Sequence, residues 1–328
     1  MKARPQHWLA LLTALGLAGC GTDIQSVMVP RGSEAGAIAT LAWLLFGLGA
    51  IVLAIVMAAT WLAIRGSPRL RVTLSRERTI LALGLAFPAV ILTLLLGTDA
   101  WLMRAHLAFG ATDAVQIEVT GEQWWWRVTY GGAAPLASAN EIRIPVGRPV
   151  RFTLRAHDVI HSFWVPSLGG KVDMIPGRTT HLRLTAERPG VYRGQCAEYC
   201  GGPHALMAFA VVAMPVAEYD AWRAREAMPA PEPSGEPERR GQSLFIAAGC
   251  GACHAVRGTA ANGTIGPDLT HLGGRRSVGI DTLPLTAENL TRFIVAGQHV
   301  KPGNRMPEFR VLAADEHAAL AAWLLSLR

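Results

Sequence analysis

The chain has 328 residues, 51% of them hydrophobic, with 31 Lys+Arg against 24 Asp+Glu and a formal net charge of +7. That length holds two modest domains plus membrane segments rather than one large core. The basic balance does not indicate nucleic acid, because the arginines are scattered and five of them (Arg65, Arg69, Arg71, Arg76 and Arg78) fall in one short loop between apolar spans.

Lys2 and Arg4 precede an apolar run from Trp8 to Ala18 that ends in Leu17-Ala18-Gly19-Cys20. A basic start, a short apolar stretch and small residues predict an export signal over 1–19. The cysteine after Leu-Ala-Gly resembles the bacterial lipoprotein cleavage motif, which implies cleavage before Cys20, lipid on its thiol and an outer segment over 20–34. Residues 35–64 carry no charge, more than the ~20 residues needed to cross a bilayer. A second span is expected over 79–103; it contains Pro88, which a membrane helix tolerates where neighbouring groups satisfy the freed carbonyl. The arginine-rich loop at 65–78 should stay inside, so both ends of this hairpin face outward.

From about Ala114 the pattern changes to short β-branched runs at 115–120, 141–144, 150–154, 181–184 and 209–212, punctuated by Gly and Pro. Such spacing predicts a small antiparallel sandwich or barrel, bounded here as 104–227. Its chemistry lies in Gly194-Gln195-Cys196-Ala197-Glu198-Tyr199-Cys200-Gly201-Gly202-Pro203-His204-Ala205-Leu206-Met207. Two thiolates, an imidazole and a thioether within one short loop form a soft, copper-favouring donor set. A disulfide or half a zinc site would explain the cysteines but not the spacing of His204 and Met207. A second imidazole must come from elsewhere, and His161 in His161-Ser162-Phe163-Trp164-Val165-Pro166 is the best candidate, with His157 a rival read as a surface residue.

Cys-x-Glu-x-Cys-Gly-x-x-His-x-x-Met, together with the upstream His-Ser-Phe-x-Val-Pro, resembles the dinuclear copper A domain of cytochrome c oxidase subunit II, and the likeness extends back through both spans. The resemblance implies a cupredoxin-like fold. It also implies Cys196 and Cys200 as bridging thiolates, His161 and His204 as terminal nitrogens, Met207 as weak ligand and the Glu198 carbonyl as the last ligand. The Glu198 side chain would reach a magnesium or manganese ion at the interface with subunit I. In Gly121-Glu122-Gln123-Trp124-Trp125-Trp126, Trp124 holds the position at which the family takes in electrons, with simple packing as the alternative. One departure concerns protons: the position of the family's channel-mouth glutamate is Leu81 here, with Glu77 one helical turn before it.

Residues 228–240 are rich in Pro and Glu and read as an extended tether. A cytochrome c-like domain is expected over 241–328, with helices at 241–248 and 313–327. Cys250-Gly251-Ala252-Cys253-His254 is the attachment pattern for covalent haem c, the thiols adding to the vinyls and His254 binding iron. Gly266-Pro267-Asp268-Leu269 resembles the loop whose proline carbonyl holds the proximal histidine in small cytochromes c, and Met306-Pro307 resembles their distal ligand. His271, His299 and His317 would instead give bis-histidine iron.

The expected chain is thus multi-domain: a two-helix transmembrane hairpin, an all-β cupredoxin-like copper domain and an all-α class I cytochrome c domain. The resemblance implies the electron-transfer subunit of a respiratory oxidase at the bacterial cytoplasmic membrane, with its metal domains on the outer face. It also implies subunits I and III as partners, membrane lipid around the hairpin and a cytochrome c or bc1-type donor. Two alternatives are the electron-input subunit of a copper A-type nitric oxide reductase and an exported copper-delivery protein, the latter opposed by the haem motif.

Overall fold

The computed structural model describes residues 25–107, 114–132, 135–279 and 281–328, so Cys20 and the signal region lie outside the described residues. The chain divides into two compact units: Gly36–Thr112, and Asp113–Arg328 together with the segment up to Ala35.

In the first unit, helix α1 (Ser33–Arg65) has 33 residues, about 50 Å at 1.5 Å per residue and so longer than the ~30 Å hydrocarbon core of a bilayer. Trp43, Phe46, Leu53, Met57 and Trp61 stand exposed along it, as on a helix whose solvent is lipid. A short helix α2 (Pro68–Leu74) occupies the basic loop, where Arg71 donates to the carbonyls of Ile64 and Gly66 and thereby caps the end of α1. The second span begins as α3 (Glu77–Leu81), passes through a π-helical turn (Ala82–Ala86) and continues as α4 (Phe87–Leu107). The wider turn lies directly before Pro88, whose missing N–H and bulky ring cannot follow a regular α-helical ladder.

In the second unit, residues 115–214 form two five-stranded sheets. One has the order β3 (Leu136–Ala139), β2 (Trp125–Tyr130), β1 (Val115–Glu122), β5 (Val150–Ala156), β8 (Thr180–Leu184). The other runs β4 (Glu141–Pro145), β10 (Ala208–Met214), β9 (Gly190–Cys196), β6 (His161–Trp164), β7 (Val172–Met174). The expected sandwich is present, but it is not wholly antiparallel: β1 runs parallel to β5, and β4 to β10. Short apolar runs carry no record of pairing direction, which long-range packing decides. The core between the sheets is aromatic, with Trp126, Phe152, Phe163 and Phe209 fully buried and the Phe163 and Phe209 rings 4.6 Å apart. Helix α5 (Val216–Glu226) closes this domain with Tyr219 and Trp222, the latter edge-on to Tyr130 at 5.2 Å. The first turn of α1 is tied on as well: Glu34 is buried against Arg183 and accepts from the Thr185 N–H.

The stretch read as a free tether is in part structured. Helix α6 (Glu236–Ala247) starts inside it, with proline in its first turn, a position where the missing N–H costs nothing. Ahead of it, the Ala230 N–H donates to Arg257 O, so the tether lies along the haem-motif domain. Helices α7 (Ala287–Val300) and α8 (Ala314–Ser326) complete that domain. Phe245 of α6 packs edge-on to Trp323 of α8 at 5.0 Å, around a core that includes Val256, Leu290, Ile294 and Leu320.

Candidate metal centres

The residues singled out around Cys196 converge. Strand β9 ends at Cys196, and its N–H donates to Met207 O at 2.9 Å, which closes the loop that carries the other donors. Gly201 takes φ +116°, a region closed to most side chains, and lets the chain reverse into the short 3-10 turn at His204–Leu206. The two sulfurs of Cys196 and Cys200 are 3.8 Å apart. His161 Nδ1, from β6, is 3.8 Å from Cys196 Sγ, and His204 Nδ1 is 3.4 Å from Cys200 Sγ. Met207 Sδ is 3.7 Å from Cys200 Sγ, and the Glu198 carbonyl oxygen is 3.2 Å from Cys196 Sγ. All six sequence-predicted donors are thereby brought into one small volume, while His157 is exposed on the surface. Cys196, Cys200, Met207 and His161 are all buried, His161 and Met207 completely.

The electrostatics suit a soft cation. The hydrogen bond from Cys200 outweighs burial and, with His161, brings the Cys196 thiol down to about 4, whereas the Cys196 thiolate pushes Cys200 up. Burial opposes charge on His161, but Cys196 and Asp158 beside it more than compensate and hold its pKa above the usual value. Thiolate, imidazole and thioether donors in a dry pocket are the chemistry of copper sites. Among the described residues, His161, Cys196 and Cys200 form the only close cluster of three or more His, Cys, Asp or Glu donors.

Asp158, which sequence reasoning passed over, and the Gln123-Trp124 pair support this pocket. Asp158 accepts from His161 Nε2 at 2.9 Å and from the Gln123 N–H at 2.7 Å. Gln123 Nε2 and Trp124 Nε1 both donate to Cys200 O at 2.9 Å, so Trp124 is hydrogen-bonded to the ligand loop itself. Trp126 is core, behind His161, and Trp125 lies under the Arg127 guanidinium at 4.6 Å, so Trp124 is the ring of the three that is hydrogen-bonded to the donor loop. The spacing of Asp158 three residues before His161 was the available signal.

The second centre is equally ordered. Cys250 and Cys253 are free thiols on one short turn, followed by His254. His254 Nδ1 is 2.8 Å from Pro267 O, the partner expected from sequence, so this nitrogen carries the proton and Nε2 is left to bind. Burial lowers the His254 pKa, which keeps the ring neutral. A Cβ on Gly266 would lie 2.6 Å from His254 Cε1, so only glycine permits this loop to lie on the ring. Met306 packs half-buried against the same core. Of the rival histidines, His317 Nε2 donates to Phe309 O, His299 is largely exposed, and His271 is buried 4.0 Å from Glu226. Free paired thiols, an oriented imidazole and a thioether loop fit a covalent haem.

Two family profiles match these regions: "Cytochrome C oxidase subunit II, periplasmic domain" over residues 127–214 and "Cytochrome c" over residues 238–328. The cytochrome c oxidase subunit 2 of Bacillus sp. (strain PS3) is 32% identical over 277 residues, covering 81% of this chain and 76% of the relative. The chain belongs to the cytochrome c oxidase subunit 2 family. The Bacillus subtilis (strain 168) subunit aligns along 98% of both chains at 28% identity. That of Alkalihalophilus pseudofirmus is 41% identical over 216 residues, 66% of this chain and 62% of the relative. Within the family, this chain carries a periplasmic-type domain and a cytochrome c domain in one polypeptide.

Proposed function

We propose that this subunit 2 chain passes single electrons from an external donor to a haem c at Cys250, Cys253 and His254, then to a dinuclear copper A centre, and on to subunit I, where oxygen is reduced. The observation that carries this reading is the convergence of Cys196, Cys200, His161, His204, Met207 and the Glu198 carbonyl on one buried volume. Cys196, Cys200, His161, His204, Met207 and the Glu198 carbonyl would hold the copper. Cys250, Cys253, His254 and Met306 would hold the haem. Copper and haem supply reversible one-electron carriers; the protein's residues hold them fixed and dry, so that little reorganises when charge moves.

The Glu198 side chain is half-exposed, with Lys171 Nζ 4.0 Å away, and so faces the surface, where it would reach a magnesium or manganese ion at a partner's edge. The hairpin lies in the bacterial cytoplasmic membrane with its arginine loop inside and both metal domains outside, anchored further by lipid on Cys20. Subunit III and a cytochrome c or bc1-type donor complete the assembly.

Residues 104–227 carry 13 Lys/Arg and 11 Asp/Glu, without the excess acid that capture of a basic free donor would favour. A tethered donor removes that need by raising local concentration. Metal and haem analysis of the purified full chain tests the reading: two coppers and one covalent haem per chain are expected, and zinc or no metal would overturn it.

A further inference from the structure

Lys301 is the one lysine of the haem-motif domain, and it is fully buried, at 0% exposure. Its Nζ donates to Trp124 O at 2.6 Å and to Leu206 O at 3.1 Å, one carbonyl beside the copper ligand loop and one within it. No carboxylate pairs with it among the described ion pairs, and burial brings it down to about 7. A buried ammonium held only by carbonyls is poor value for stability, since apolar residues of similar size serve a buried position as well or better. Its directional donors specify one docking geometry instead.

The surroundings of Lys301 are rigid. Helix α7 ends at Val300 and the chain turns at Pro302-Gly303, with Gly303 at φ +83°. Gln298 holds the turn from both sides, accepting from the Gly303 N–H at 2.9 Å and donating to Asn304 O at 2.6 Å. A Cβ on Gly303 would be 3.2 Å from Trp124 Cζ3 and 3.7 Å from Pro203 Cδ, so this turn lies on both the Trp124 ring and the copper ligand loop. The loop continues to Met306. On the other side, Arg127 donates to Thr264 O at 2.9 Å, just before the Gly266-Pro267 loop that orients His254. Both loops that flank the haem position therefore touch the copper domain.

We propose that Lys301 is a positioning residue that locks the chain's own haem domain over Trp124, so that the copper centre takes electrons from within the chain and the face a free protein donor would need is closed. This rests on the electron-transfer reading above. The transfer moves one electron, oxidising the haem iron by one and reducing the copper pair by one, with no bond made or broken.

The test compares the wild-type full chain with Lys301→Met, Gly303→Ala and the exposed control Arg310→Gln, each loaded with copper and haem. Amide hydrogen exchange over 121–126 and 301–304 should quicken in the first two variants only. Haem-to-copper transfer should slow by about tenfold or more, because electron tunnelling falls off exponentially once the two centres are displaced by an ångström or more. Direct reduction of the copper by a soluble reduced cytochrome c should instead become faster. This opposed pair of changes is not what general destabilisation produces. Gly303→Ala carries the same test from the exposed side of the contact should Lys301→Met fail to fold. If exchange and both rates in a folded variant match wild type, the lock is refuted while copper and haem remain in place; absence of copper or haem from the wild type would refute the function itself.

Discussion

Asp158 Oδ1 and His161 Nε2 are 2.9 Å apart, and the imidazole turned this way presents Nδ1 to Cys196 at 3.8 Å. The carboxylate thus sets which ring nitrogen is free for metal, and its other oxygen accepts from the Gln123 N–H beside Trp124. Outer partners of this kind govern affinity without touching the ion. Asp158→Asn should weaken copper binding by about 10–100-fold, measured by competition with a copper chelator, while the haem spectrum stays unchanged.

Cys196 and Cys200 together supply both candidate bridging sulfurs. Replacing either by serine exchanges a soft thiolate for a hard hydroxyl of ordinary acidity. Cys196→Ser, Cys200→Ser and the double variant should each abolish the dinuclear copper signal in electron paramagnetic resonance. The β-sandwich should persist in far-ultraviolet circular dichroism, because its core of Trp126, Phe152, Phe163 and Phe209 is untouched.

Trp126 shows the opposite dependence. Its ring is wholly buried and meets Phe209 at 5.0 Å, Phe163 at 5.9 Å and His161 at 6.1 Å. Trp126→Ala should cost about 3–5 kcal/mol in stability, read from denaturant unfolding, and copper affinity should fall with it as His161 loses its backing.

Gly266 separates the two centres experimentally. A methyl group there would meet His254 Cε1 at 2.6 Å. Gly266→Ala should sharply reduce covalent haem incorporation, measured by haem-stained gels, and leave the copper content of the same preparation at the wild-type level.

His271 makes the haem domain sensitive to acid. Burial first, then Arg257 and Arg275, bring its pKa from 6.5 to about 4. The unfolded chain therefore takes up the proton before the folded one does. The stability from neutral His271 is complete above about pH 6.5 and is lost progressively as the pH falls towards 4. Thermal midpoints between pH 7 and 4 should fall less steeply in His271→Gln than in wild type.

What the sequence made legible follows from contact range. Cys196, Cys200, His204 and Met207 lie on one loop, so their spacing encodes their convergence; Pro267 could be matched to His254 because the loop motif is local. Asp158 was missed although only three residues from His161, since that spacing alone does not say that the carboxylate turns back onto the ring. Lys301 could not have been found, because its bond to Trp124 spans 177 positions and its burial exists only when two domains meet. The parallel pairing of β1 with β5 and the start of α6 at Glu236 were hidden for related reasons: pairing direction is set across the whole sandwich, and a proline-rich run also suits the first turn of a helix.

The central claim is that electrons pass between the two centres inside a single chain. It is tested most directly by reducing the haem in dilute full-length protein with a light-triggered one-electron donor and following copper reduction by its near-infrared absorbance at several protein concentrations. Copper should be reduced as haem is reoxidised, with a first-order rate constant that does not change with concentration. A rate that rises in proportion to concentration, or copper that stays oxidised while the haem remains reduced, would contradict it.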